Sequence, residues 1–243
     1  MKRLLPSAFL GGISFLVACG GPEAVKGPVN VPEAASAKPA PRRGGPSVSQ
    51  ELGSIDPKAA DKVFQKLQGD LMNCQKDGLS RVDVLSGDVK FFVRIGHDGR
   101  ARYAYLEETT LGDRATEKCM LDVVMRGNWP QPEGGDEAEA RKSYGFDPAS
   151  VREPTAWSAD KVAGAVGKHE GELKKCTRGA TGFKVTAYVA PVGDAGKEGK
   201  ALSVGVSTPN KEALDRTDCI VEAVKGMKFP SPGSYPAKVT FNL

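Results

Sequence analysis

The amino-acid sequence predicts an α+β protein whose folded part is two tandem small units, each running helix, strand, strand, helix, strand. Three observations predict it. One pattern occurs twice in the same order, the apolar period within each copy switches between helix and strand, and each copy carries two cysteines at matching places. Ala59-Ala60-Asp61-Lys62-Val63 opens one copy and Ser158-Ala159-Asp160-Lys161-Val162 the other. Cys119-Met120-Leu121-Asp122-Val123-Val124 is answered by Cys219-Ile220-Val221-Glu222-Ala223-Val224. Asp113-Arg114 and Asp215-Arg216 precede these cysteines, and ten residues after each comes aromatic-Pro-x-Pro, at Trp129 to Pro132 and Phe229 to Pro232.

In the first copy, Val63, Phe64, Leu67 and Leu71 keep helical spacing from Asp61 to about Cys74, and Gly78 suits the helix end. Val89, Phe91, Val93 and Ile95 then alternate with Lys90, Phe92 and Arg94, which is the period of a strand. Gly96-His97-Asp98-Gly99 predicts a hairpin turn, because Asp-Gly tolerates the positive φ such turns need. Ala101 to Glu107 is the return strand, with acids Glu107 and Glu108 at its solvent-facing end. Asp113 to Arg126 is the second helix, stopped by Pro130, and Lys142 to Phe146 a short third strand.

The second copy repeats this order. Phe183, Val185, Ala187 and Val189 alternate, a Gly-rich turn covers 193–199, and Leu202, Val204 and Val206 return. Glu212 to Val224 reads as one helix, and Val239, Phe241 and Leu243 as the last strand.

Units of about 85 residues are marginal for a single core, so a crosslink would help. Four cysteines allow three pairings. The repeat selects Cys74 with Cys119 and Cys176 with Cys219, since each unit then carries its own staple; the alternative is four free buried thiols. No CxxC spacing points to zinc.

The run of cysteine, paired strands about Asp98-Gly99, Thr110-Leu111-Gly112-Asp113, second cysteine and aromatic-Pro-x-Pro resembles the AgmX/PglI C-terminal domain. That family is similar in plan to the TonB C-terminal domain. The resemblance covers about residues 60–147; it is looser over 158–243, where the turn is longer and Thr-Leu-Gly-Asp is missing. It implies two helices on a three-stranded antiparallel sheet in each unit, a cell-envelope setting and no catalysis. It also implies a link to motility or energy-transduction machinery.

Ahead of the units, Lys2 and Arg3 precede a mostly apolar run from Leu4 to Ala18, too short to span a bilayer and laid out as a secretory leader. Leu16-Val17-Ala18-Cys19 resembles the lipobox of bacterial lipoproteins. The resemblance implies cleavage before Cys19 and lipid on its sulfur, which accounts for the odd fifth cysteine. Gly20 stands where an Asp would retain related lipoproteins at the inner membrane, which favours the outer membrane facing the periplasm. The segment after Cys19 is rich in Pro, Ala, Gly and Ser without apolar period, so it reads as a disordered spacer. The expected organisation is therefore a leader over 1–18, a tether over 19–57, units over 58–148 and 158–243, and a linker over 149–157.

Net charge is +4 over 243 residues, too small and too mixed for a nucleic-acid binder. By segment the charge splits into −2 over 58–157 and +4 over 158–243. Chemistry-bearing residues are sparse. His97 lies in the tight turn, and His169 in Lys168-His169-Glu170-Gly171-Glu172 lies on a predicted helix, where one histidine beside two acids falls short of a metal site. No serine sits in a nucleophile elbow, and 193–199 lacks the Lys-Ser/Thr ending of a phosphate loop. Trp129 and Phe229, placed alike in both copies, are expected to pack beneath the second helix. The expectation is a lipid-anchored envelope scaffold or adaptor that binds envelope proteins, with no enzymatic activity, cofactor or metal. The rival is an envelope hydrolase, or a metal- or ligand-binding lipoprotein, with a site between the repeats where His97, Glu107 and further acids converge.

Overall fold

The computed structural model describes residues 52–147, 152–193 and 197–243. The leader, Cys19 and most of the expected spacer lie outside the described residues. The fold is α+β. Its elements run α1 (Pro57–Leu79), β1 (Gly87–Gly96), β2 (Ala101–Thr109), α2 (Arg114–Met125), β3 (Glu137–Phe146), β4 (Thr155–Trp157), α3 (Asp160–Lys168) and α4 (Glu170–Thr177). Then come β5 (Lys184–Val192), β6 (Glu198–Ser207), a 3₁₀ turn (Lys211–Arg216), α5 (Thr217–Lys225), β7 (Lys228–Pro230) and β8 (Ala237–Asn242). One sheet is antiparallel in the order β2-β1-β3, and the other is mixed in the order β4-β8-β5-β6-β7.

In the first half, the Asp56 side chain accepts from the Lys58 N–H at 3.0 Å and Pro57 fits the first helical turn, so α1 starts here rather than at Asp61. Its stripe of Ala60, Phe64, Leu71 and Cys74 is buried. Gly78, expected to end the helix, instead lies inside its last turn; a Cβ there would collide with the Thr116 and Leu85 side chains, so this glycine lets α1 approach α2 closely. Phe91, Val93 and Ile95 are wholly buried beneath the two helices. Asp113 caps α2, its carboxylate accepting from the Thr116 N–H at 3.1 Å and pairing with Arg81 at 2.7 Å. Trp129 packs on Phe64 with ring centroids 4.8 Å apart and donates its Nε1–H to the Val124 carbonyl at 3.3 Å. The third strand begins at Glu137, five residues earlier than expected. In this earlier stretch Ala138 and Ala140 are the buried residues, and small side chains between charged ones give only a weak strand signal.

The second half departs further from expectation. Its first helix breaks at His169 into α3 and α4, and the helix expected over Glu212 to Val224 is a 3₁₀ turn followed by α5. Two short strands, β4 and β7, extend the sheet from the expected three strands to five. Leu202, expected on the core face, is 47% exposed. A register shift between Tyr188 and Val189 puts Ala201 opposite Val189 instead.

The two halves meet along a polar seam. The outer face of β5 and β6 carries Thr186, Tyr188, Ser203 and Ser207, all buried. Gly112 stands against Thr186 and the Tyr188 ring with φ +76°, a backbone that side chains rarely adopt, and an added Cβ would come within 2.9 Å of that ring. Ser203 Oγ donates to the Gly112 carbonyl at 2.8 Å, the Thr208 N–H to the Leu106 carbonyl at 3.0 Å, and Tyr188 Oη to the Ser86 carbonyl at 2.9 Å. Glu117 of α2 is wholly buried in this seam. It accepts from the Thr109 hydroxyl at 3.0 Å and, where a neighbouring strand would otherwise serve, from the Val206 N–H of β6 at 3.1 Å.

Candidate functional site

Cys74 is joined to Cys119 and Cys176 to Cys219, so each crosslink stays within its own half and ties α1 to α2 or α4 to α5. Cys19 lies outside the described residues. Trp129 and Phe229 are buried at 4% and 2% exposure, so neither is free to act as a ligand for another domain.

The residues that a hydrolytic site would need are scattered. His97 stands in the β1–β2 turn with Arg102 as its neighbour, 3.5 Å from Nδ1. Glu107 lies toward the other end of β2, is largely covered rather than facing solvent, and pairs with Arg141 at 2.8 Å and Lys90 at 3.2 Å. Glu108 is the exposed member of that pair of acids. His169 sits at the break between α3 and α4, 3.2 Å from Glu172. Among the described residues no three His, Cys, Asp or Glu side chains are grouped to hold a metal ion, and no helix is long and apolar enough to cross a membrane.

What the fold does expose is a strand edge. β3 is the outer strand of its sheet, paired residue by residue with β1 from Gly87↔Phe146 to Gly96↔Glu137. The Glu137 carbonyl points outward and accepts from the Gly53 N–H at 2.8 Å. Strand alternation turns the backbone groups of Glu139, Arg141, Ser143 and Gly145 the same way. Among the described residues nothing pairs with these groups. Residues 52–54, expected as the end of the spacer, instead strap the start of this edge: Leu52 bridges Glu137 in parallel, and Ser54 exchanges two backbone hydrogen bonds with Glu133 at 2.8 and 2.9 Å. β4 lies on β8 in the same parallel sense, over Thr155↔Ala237 to Trp157↔Val239.

Beside the open part of β3 runs a groove whose other wall is α1. It holds two hollows. One, of about 160 Å³, lies over Ala60, Phe64 and Ala140; the other, of about 230 Å³, lies over Leu71, Met72 and Phe146. Between them Lys142 reaches across to Asp61 at 2.5 Å, and Tyr144 Oη donates to the Phe64 carbonyl at 2.9 Å. Met72 is 54% exposed at the groove's rim. The outer face of the same sheet stacks Phe92 on Tyr105 with centroids 4.7 Å apart and sets Arg141 over the Phe92 ring at 4.6 Å. Burial and the Asp61 charge raise the Tyr144 hydroxyl to about 12, so it stays a neutral donor.

The sequence pattern pointed to sheet edges in general but not to this groove, because β3 began five residues before its apolar signal. It also missed the seam. Asp113, Glu117, Met120 and Val124 fall on one helical stripe, and an acid on a stripe that is otherwise core was the available sign. Compared with protein-family models, with curated proteins and with solved structures, the chain matches none.

Proposed function

We propose that the chain is a lipid-anchored envelope adaptor, held at the outer membrane through Cys19, which binds an extended segment of another envelope protein by strand addition to β3. The observation that carries this reading is the open backbone from Glu139 to Gly145 beside a groove with two hollows. A strand laid on that edge gains main-chain hydrogen bonds, and its alternate side chains drop toward the hollows, about 20 Å apart along the strand from Ala140 to Phe146. Lys142 and Tyr144, already bonded to α1, hold the groove open at its middle. In this reading the two halves are copies of one unit related to the AgmX/PglI and TonB C-terminal domains. The order of elements, the crosslink within each half and the buried Trp129 and Phe229 support it. The second copy's third strand is already partly covered by β4, which leaves the first copy as the receptor.

The test uses the full chain in its native envelope with a photo-crosslinker placed in turn at Ser143 and at Lys175 of α4. Crosslinks to a defined partner are expected from position 143 alone. Ser143→Pro removes an outward N–H that β1 does not use, so the sheet is retained and the partner is lost. Equal crosslinking from both positions, or capture undiminished by Ser143→Pro in a chain that circular dichroism finds folded, would refute the assignment.

A further inference from the structure

A second recess belongs to the seam rather than to the edge. An open cleft of about 470 Å³ lies where Ser86 and Thr110 of the first half face Lys238 and Thr240 of β8, with Glu153 and Trp157 on its rim. Lys238 crosses this cleft. Its Nζ donates to the Ser86 carbonyl at 2.6 Å and lies 5.4 Å from the centre of the Tyr188 ring. Among the described residues no carboxylate comes within ion-pair distance of it.

That arrangement is costly as pure structure. An ammonium has three donors, and here a neutral carbonyl takes one. Burial lowers the Lys238 ammonium from 10.5 to about 8, against the pull of Asp88 and Glu153, whose charges favour the protonated form. A charge withdrawn from water without a counter-ion is less stable than an apolar side chain of the same length. Beside it the Thr110 hydroxyl accepts from the Asp88 N–H at 2.9 Å, which leaves its own proton to donate. The cleft thus offers a partly desolvated cation, a hydroxyl donor and the Trp157 indole, and neither Asp88 nor Glu153 closes an ion pair with that cation.

We propose that this cleft binds the carboxylate of a ligand, with the Lys238 ammonium and the Thr110 hydroxyl donating to its oxygens and Trp157 covering the adjoining apolar part. A carboxylate fits better than a phosphate. One cation is present, no arginine lines the cleft, and the nearby Asp88 and Glu153 oppose a second negative charge. The carboxylate has two possible sources, a peptide C-terminus or a small free acid.

The purified full chain is titrated by calorimetry with N-acetyl-alanyl-alanine, with its C-terminal amide and with acetate. The acid is expected to bind at least about tenfold more tightly than the amide. Acetate binding as well as the dipeptide identifies a small acid as the source, and dipeptide binding alone identifies a peptide terminus. Lys238→Met should weaken binding by about thirtyfold or more while leaving the thermal transition unchanged or raised. Thr110→Val, tested separately, should weaken the acid and not the amide. Acid and amide binding alike, neither binding, or Lys238→Met binding as the wild type does, would overturn the proposal and leave Lys238 as a latch onto Ser86.

Discussion

Replacing Glu117 by glutamine takes a charge out of the seam while keeping its shape, and the consequence can be worked out in advance. The carboxyl group is fully buried, and that burial raises it from 4.5 to about 7, partly offset by the Val206 N–H and the Thr109 hydroxyl. Between these two values the folded chain holds a proton that the unfolded chain has released. The group's contribution to stability is therefore complete below pH 4.5, fades as pH rises toward 7, and is absent above it. The loss amounts to about 3 kcal/mol. Glutamine mimics the protonated acid: its oxygen accepts from the Val206 N–H and its amide donates to the Thr109 hydroxyl oxygen. The assay is urea unfolding of both proteins at about pH 4.5 and pH 8, taking the difference of differences so that all other titrating groups cancel. Wild type and variant should be close at the lower pH, and the variant more stable by about 3 kcal/mol at the higher one. A gap of the same size at both pH values would show that Glu117 does not titrate between them, and the reasoning from burial would fail.

Two further outcomes follow from the packing. The crosslinks close loops of 45 and 43 residues, each stabilising by about 4 kcal/mol in the chain-entropy model, so dithiothreitol should lower the melting temperature clearly; a transition that does not move would leave the crosslinks without a stabilising role. Gly205→Ala would push a Cβ into the Glu117 carboxylate and to 2.9 Å from the Gly112 Cα, costing about 1–3 kcal/mol in urea unfolding. Gly164→Ala in α3, which meets nothing within 4 Å, should leave stability unchanged or slightly raised, and equal effects at both glycines would argue against close contact at the seam.

The elements that could be read from the sequence were those whose local signal and tertiary role agree. Phe91, Val93 and Ile95 alternate because one face of β1 is core, and Asp98-Gly99 turns the chain because Gly99 takes a φ of +72°. What escaped were features in which one half answers the other. Thr186, Ser203 and Gly205 look like weak strand residues in isolation; they are small because the first half lies against them. β4 and β7 are three residues each, too short for any period to appear. Thr110-Leu111-Gly112-Asp113 was legible as a motif, but its physical work is to cap α2 at Asp113 and to bring backbone against Tyr188 at Gly112. The edge of β3 was hidden for a different reason. Glu137, Glu139 and Arg141 alternate with two alanines, and such a run carries no strong apolar signature.

The placement of the two sulfur links decides how the molecule would respond to mechanical load. A pull applied at its ends passes through each covalent link and bypasses the chain enclosed between Cys74 and Cys119, and between Cys176 and Cys219. The hairpins β1–β2 and β5–β6 lie inside those shielded loops, so about 150 Å of chain in each half never extends. β3 lies outside them, in the stretch that bears the tension, and β1 is its one neighbour in the sheet order. The strand with the open edge would be the first of its sheet to peel away under strain, and anything gripping that edge would be released with it.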